Sequence, residues 1–150
     1  MKAKLLGLLV VTFLFVGCST PTNVLKCSTI EKTDEYDYEE IRILYYDEDD
    51  FSVLNKLEQI TKIEAEDTED AHMMLFFYSN MLEDIDEDEV FVELEVDENL
   101  FTMKFTFDIE DARQNDMDVV SEEDFNYNLP KEDLKKQFES AGWSCEYKEN

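Results

Sequence analysis

The stretch EVFVELEVDENLFTMKFTFDIE, Glu89 to Glu110, sets the fold class of this chain. Val90, Val92, Leu94 and Val96 alternate with Phe91, Glu93 and Glu95, the period of two that a β-strand imposes on its side chains. After the turn Asp97-Glu98-Asn99, Phe101, Met103, Phe105 and Phe107 alternate with Thr102, Lys104 and Thr106. Two alternating runs joined by a polar turn form an antiparallel hairpin with one face buried.

Upstream of the hairpin, Val24 to Ile30 reads as a strand carrying Cys27, and Glu40 to Tyr46 as a second strand with Ile41, Ile43 and Tyr45 on one face. The polar run Asp47 to Asp50 follows as a turn. Phe51 to Ile63 fits two periods: Leu54, Leu57, Ile60 and Ile63 suit a helix, while EQITKIE suits a strand, and a strand pairing back on its predecessor is the reading taken. Thr68 supplies an N-cap hydroxyl ahead of Glu69 and Asp70, which sit on the positive end of a helix dipole. Ala71, Met74, Leu75, Tyr78, Leu82 and Ile85 then keep to one helical face, and the methionine and tyrosine of that stripe read as core filling.

Downstream, Asp108 to Asn128 is polar and reads as loop with a helical turn or two. Pro130 opens a helix where its missing N–H costs nothing, Leu134, Phe138 and Ala141 form its apolar stripe, and Gly142 closes it. Trp143 to Tyr147 makes a last strand carrying Cys145. No repeat and no Ser- or Pro-rich linker divides the chain, which holds only 3 Gly and 2 Pro. The expectation is one α+β domain, Asn23 to Asn150: a mainly antiparallel sheet built from hairpins, packed by a central amphipathic helix and a C-terminal helix.

The first residues read differently. Lys2 and Lys4 precede an apolar run from Leu5 to Val16 that ends in Gly17-Cys18. At about 12 residues the run is too short to span a bilayer, which takes about 20. A basic segment, a short apolar segment and a cysteine in place of an A-x-A-like site resemble the lipobox of bacterial lipoproteins, although the position three before the cysteine, most often Leu there, is Phe15. The resemblance implies a signal peptide over Met1 to Gly17, cleavage before Cys18, a diacylglyceryl group on the Cys18 thiol and a tether over Cys18 to Thr22. Two acyl chains, at about 0.8 kcal/mol per buried methylene, hold a domain on a membrane face. The alternatives are an ordinary cleaved signal with an incidental cysteine and an uncleaved anchor. The implied location is the extracytoplasmic face of the cell membrane.

Loss of Lys2 and Lys4 would take the formal charge from −26 to −28. Such a chain repels nucleic acid, whose binding rests on Lys and Arg neutralising phosphates, and repels anionic lipid surfaces. With Cys18 lipidated, Cys27 and Cys145 remain, and outside the cytoplasm an even leftover pair reads as a disulfide. There is no C-x-x-C spacing, and a single histidine, His72, cannot form a multi-histidine metal site.

The lipobox cysteine, the Lys26-Cys27 strand soon after it, the hairpin, helix, hairpin order and the ending LKKQFESAGWSCE resemble the YehR-like family of small bacterial lipoproteins. The resemblance covers most of Cys18 to Glu146. It implies a lipid anchor, a strand at Phe51 to Ile63 and a paired Cys27 and Cys145. That family has no established biochemical activity, so no catalytic residue carries over.

Little in the chain points to catalysis. No G-x-S-x-G motif, Gly-rich phosphate loop or nucleophile beside His72 is present, and carboxylates are too abundant to mark a glycosidase-like pair. Asp84, Asp86, Asp88 and Glu95 fall at positions 1, 3, 5 and 12 of a calcium loop, but Glu89 stands where that loop needs Gly and a strand follows where a helix should. With 39 acids in 150 residues, four such matches arise by chance roughly 0.6 times in a chain of this length. The reading of function is a membrane-anchored, non-catalytic surface binding module whose ligand or protein partner the sequence does not name. A calcium- or divalent-cation-responsive module centred on Asp84 to Glu95 is the alternative, with weak, diffuse cation attraction in place of a defined cofactor. An extracytoplasmic hydrolase using carboxylates comes third.

Overall fold

The computed structural model describes residues 23–33, 36–47, 49–50, 53–82, 90–109, 121–122 and 125–148. The chain forms strands β1 (Val24–Lys32), β2 (Asp37–Tyr46) and β3 (Leu54–Glu64), helix α1 (Thr68–Met81), strands β4 (Val90–Asp97), β5 (Leu100–Asp108), β6 (Ser121–Glu122) and β7 (Phe125–Asn126), helix α2 (Lys131–Ser140) and strand β8 (Ser144–Lys148). Six strands make one sheet in the order β4-β5-β3-β2-β1-β8, every neighbouring pair antiparallel, and β6 and β7 pair separately. This is the mainly antiparallel α+β domain the alternation demands.

The expected hairpin forms between β4 and β5, with Val96 opposite Phe101, Leu94 opposite Met103, Val92 opposite Phe105 and Val90 opposite Phe107. Its turn is tighter than the sequence suggests: Asp97 and Leu100 still pair, leaving Glu98 and Asn99 as the connection, with Glu98 at φ 54°. The turn is anchored to the end of β3, where Ala65 N–H donates to the Asn99 carbonyl (2.9 Å) and the Asn99 amide donates to the Ala65 carbonyl (3.0 Å). Within the ambiguous Phe51 to Ile63 stretch, the described residues from Leu54 onward form strand β3, paired on both sides with β2 and β5. The Asp47 turn is closed by its own side chain: Oδ1 accepts from the Asp49 and Asp50 N–H groups at 2.8 and 3.1 Å, which holds this exposed carboxyl below its usual range.

Register assigns the faces, because residues directly opposite across strands point the same way. Leu25, Leu44, Leu57, Phe107 and Val90 form one row across the sheet. Two residues along β1 from Leu25 comes Cys27, and six along β5 before Phe107 comes Phe101, so both belong to the same face. Both helices cover it. α2 inserts Leu134 and Phe138, each fully buried, among Leu25, Cys27, Leu44, Tyr46, Leu54 and Leu57, while Tyr78 of α1 stacks on Phe101 at the other end. Full burial of a Leu or Phe side chain contributes roughly 1.5–3 kcal/mol.

The opposite face is a mixture. Val24, Ile41 and Ile43 form a small buried cluster with Tyr45 and Ile60 packed against it. Around it runs a lattice of lysines and carboxylates: Lys104 lies 2.9 Å from Glu93 and 3.9 Å from Glu58, Lys56 is 3.1 Å from Glu58, and Lys62 is 3.6 Å from Glu39. β2 is thus buried on both sides.

Three expectations are corrected. The N-cap of α1 is Asp67, not Thr68: its Oδ1 accepts from the Glu69 and Asp70 N–H groups at 2.8 and 3.0 Å, and Thr68 is already helical. Within Asp108 to Asn128, which reads as loop with helical turns, the described residues include the β6–β7 pair and three core side chains, Ile109, Phe125 and Tyr127. Ala141 lies exposed at the C-cap of α2 instead of continuing its apolar stripe, while Gly142 adopts φ 90° as a helix-ending glycine should.

Candidate functional site: a groove beside helix α1

Cys27 and Cys145 are joined by a disulfide, and they face each other directly across β1 and β8 with Cα atoms 4.1 Å apart. Cys27 is fully buried in the core under α2. Nearby, Phe138 packs against Phe125, Tyr127 and Trp143, and the Arg42 guanidinium lies 5.5 Å from the Trp143 ring centroid. This end of the molecule is filled.

The other end is open. The final residues of β3, the linker Ala65-Glu66, the first residue of β2 and helix α1 enclose a groove of about 1130 Å³. Its apolar lining comes from Ile63 of β3 and from Met73, Met74, Phe77 and Tyr78 of α1. A shallower hollow of about 520 Å³ lies on the outer side of the helix, lined by Glu69, His72, Met73, Phe76 and Phe77. Met73 and Phe77 belong to both, so they form the ridge between the two hollows.

Sequence reading missed this feature. Of the expected stripe, Ala71, Met74, Leu75 and Tyr78 face inwards, Ala71 fully buried and the others half-buried, while Leu82 is the C-cap beyond the end of the helix and Ile85 lies outside the described residues. Yet Met73, Phe76, Phe77 and Met81, spaced i, i+3, i+4 and i+8, form a second apolar stripe pointing outwards. Their exposures run from 55 to 73%. The described residues thus leave one of the helix's two apolar faces uncovered. The signal was in the spacing, but the helix already had an adequate inward stripe.

The charge around the groove is one-sided. Asp37, Glu64, Glu66 and Asp70 line the larger hollow and Glu69 the smaller, while neither is lined by Lys or Arg. Lys32 reaches Asp37 at 2.6 Å, and that contact raises the lysine pKa. Glu64 also lies in the field of Lys32, while among the described residues Glu66, Glu69 and Asp70 are held in no ion pair. His72 stands exposed on α1 with Nδ1 2.8 Å from the Thr68 carbonyl oxygen.

Of the other residues singled out by sequence, Cys18, Asp84, Asp86 and Asp88 lie outside the described residues, as do the signal segment Met1 to Gly17 and the tether through Thr22. Glu95 is exposed on β4, opposite Thr102. Among the described residues no cluster of three or more His, Cys, Asp or Glu is placed to hold a metal ion, and no helix is long and apolar enough to cross a membrane. In comparisons with known proteins, the chain matches no family model, no curated protein and no solved structure.

Proposed function

We propose that this chain is a membrane-anchored extracytoplasmic lipoprotein, kin to the YehR-like family, whose domain acts as a non-catalytic binding module with the groove beside α1 as its binding site. The observation that carries the reading is the exposed ridge of Met73 and Phe77 between two hollows. Large apolar side chains held out from a folded domain, next to concavities, are the usual mark of a surface that meets a partner. The Cys27–Cys145 disulfide supports the compartment, since such bonds persist where the medium is oxidising. Cys18 stands nine residues before Cys27, so a lipid there would hold the disulfide-closed domain close to the membrane surface.

Two measurements test the reading. Intact mass of the protein extracted from its membranes should lack Met1 to Gly17 and carry a diacylglyceryl group on Cys18. A photo-crosslinking residue at Phe77, in the protein displayed on cells, should yield one dominant crosslinked partner that disappears in Phe76→Ser. An unmodified Cys18 overturns the anchor, and an absence of crosslinks at Phe77 overturns the binding module.

A further inference from the structure

We infer that the occupant of the α1 groove is a cationic amphipathic helix from another molecule, its apolar stripe seated on the Met73–Phe77 ridge and its Lys or Arg residues set against Glu64, Glu66, Glu69 and Asp70. The inference rests on the binding-module reading and names its partner class.

Geometry supplies the first half. Met73, Phe76, Phe77 and Met81 follow the spacing with which one helix presents a seam to another, and two hollows flank the ridge as the grooves that a partner's side chains would fill. The ridge is built of Met and Phe. Phe offers rigid area, and unbranched Met adapts to differing apolar shapes, a combination suited to a helix whose sequence is not fixed at every position.

Charge supplies the second half and disfavours two rival occupants. Four of the five acids around the hollows, Glu64, Glu66, Glu69 and Asp70, cluster at the N-terminal end of α1 and the adjoining β3 terminus, the fifth, Asp37, begins β2 opposite Glu64, and no Lys or Arg lines either hollow. A second copy of this chain, with formal charge −26 before any processing, would bring one acidic rim against another, and like charges so placed repel. An anionic lipid surface is repelled for the same reason. A cationic helix is drawn in, and ion pairs formed at the rim fix which end of it lies over the α1 N-terminus.

The probes are a model helix of leucine and lysine, a counterpart with every lysine replaced by glutamate, and one with the apolar stripe replaced by serine. Binding is measured to the full lipid-anchored protein in vesicles of zwitterionic lipid, with protein-free vesicles subtracted. The leucine–lysine helix should bind, and should weaken at least about tenfold between about 0.05 and 0.5 M salt as the Debye length shortens. The glutamate and serine counterparts should not bind. The triple variant Glu64→Gln, Glu66→Gln, Glu69→Gln should lose about tenfold affinity for the leucine–lysine helix, and Phe76→Ser with Phe77→Ser should abolish binding. Both variants alter exposed side chains, so thermal melting should report an intact fold. Equal binding of the glutamate helix, indifference to either variant, or no binding above the vesicles would overturn the inference. If Phe77 still crosslinks a partner on cells while the leucine–lysine helix fails, the binding module stands and only its cationic partner falls.

Discussion

Tyr78 lies flat against Phe101, the ring centroids 5.3 Å apart and the planes 15° from parallel. Tyr78 belongs to the inward stripe of α1 and Phe101 is fully buried on β5, so this stack seats the helix on the sheet and fixes the inner wall of the groove. Tyr78→Ala should lower stability by about 2 kcal/mol, below the cost of deleting a fully buried aromatic because Tyr78 is only half-buried. Phe76→Ala, on the outward face, should change it by no more than about 0.5 kcal/mol. Urea unfolding of both variants checks the contrast, and equal losses would mean that the outward stripe is part of the fold's own core.

The cap of α1 gives a second contrast between neighbours. Asp67→Ala removes the acceptor for two otherwise unsatisfied N–H groups and a negative charge from the positive helix end, and should cost about 1 kcal/mol. Thr68→Ala should leave the midpoint of denaturation almost unchanged. The reverse order would return the cap to Thr68.

The disulfide closes a loop with a sequence separation of 118 residues. On the chain-entropy model, removing such a cross-link costs about 4 to 5 kcal/mol through the freedom restored to the unfolded chain. Melting with and without reductant should therefore show a large downward shift. A midpoint that ignores reduction would show that Cys27 and Cys145 are not joined in solution.

Alkali should unfold the domain early. Burial is the leading cause that raises the hydroxyl pKa of Tyr38, Tyr45, Tyr46 and Tyr147, and for Tyr45 it is pushed up to about 12 with help from the Glu58 carboxylate that accepts its hydrogen bond. The folded state prefers the neutral phenol. That preference is fully present below the ordinary value of 10.0 and is lost as pH rises from there through the folded-state value. Lys104, held chiefly by its hydrogen bond to Glu93, is raised too and acts in the same direction. Denaturant midpoints should fall between about pH 10 and 12, with ionisation of the fully buried Tyr46 appearing together with unfolding, and Tyr45→Phe should lessen the fall. A Tyr46 phenolate in a still-folded chain, read from the absorbance lost in Tyr46→Phe, would contradict this.

Strands were legible wherever apolar and polar residues alternated long enough to outweigh accident, as in Val90 to Phe107. Short segments were not. Phe125-Asn126-Tyr127 alternates over only three residues, too few to distinguish a core strand from a polar loop, and its value to the fold comes from Phe138 and Trp143 meeting it from distant parts of the chain. The groove was hidden for a related reason. The residues of α1 show two apolar stripes, but only the position of β5 decides that Tyr78 finds Phe101 while Phe76 finds solvent.

By itself, the amino-acid sequence determined the hairpin, the two helices and the antiparallel character of the sheet, because periodicity and local chemistry act over a few neighbouring residues. The Cys27–Cys145 disulfide was expected from the sequence and is present, but only the tertiary structure decided the strand order β4-β5-β3-β2-β1-β8, the placing of both helices on one face, and the position of the bridge between directly opposed residues of β1 and β8. Those depend on which distant surfaces bury each other best. The same competition leaves the Met73–Phe77 ridge standing out from the fold, since the sheet offers α1 one face to cover and the helix carries two.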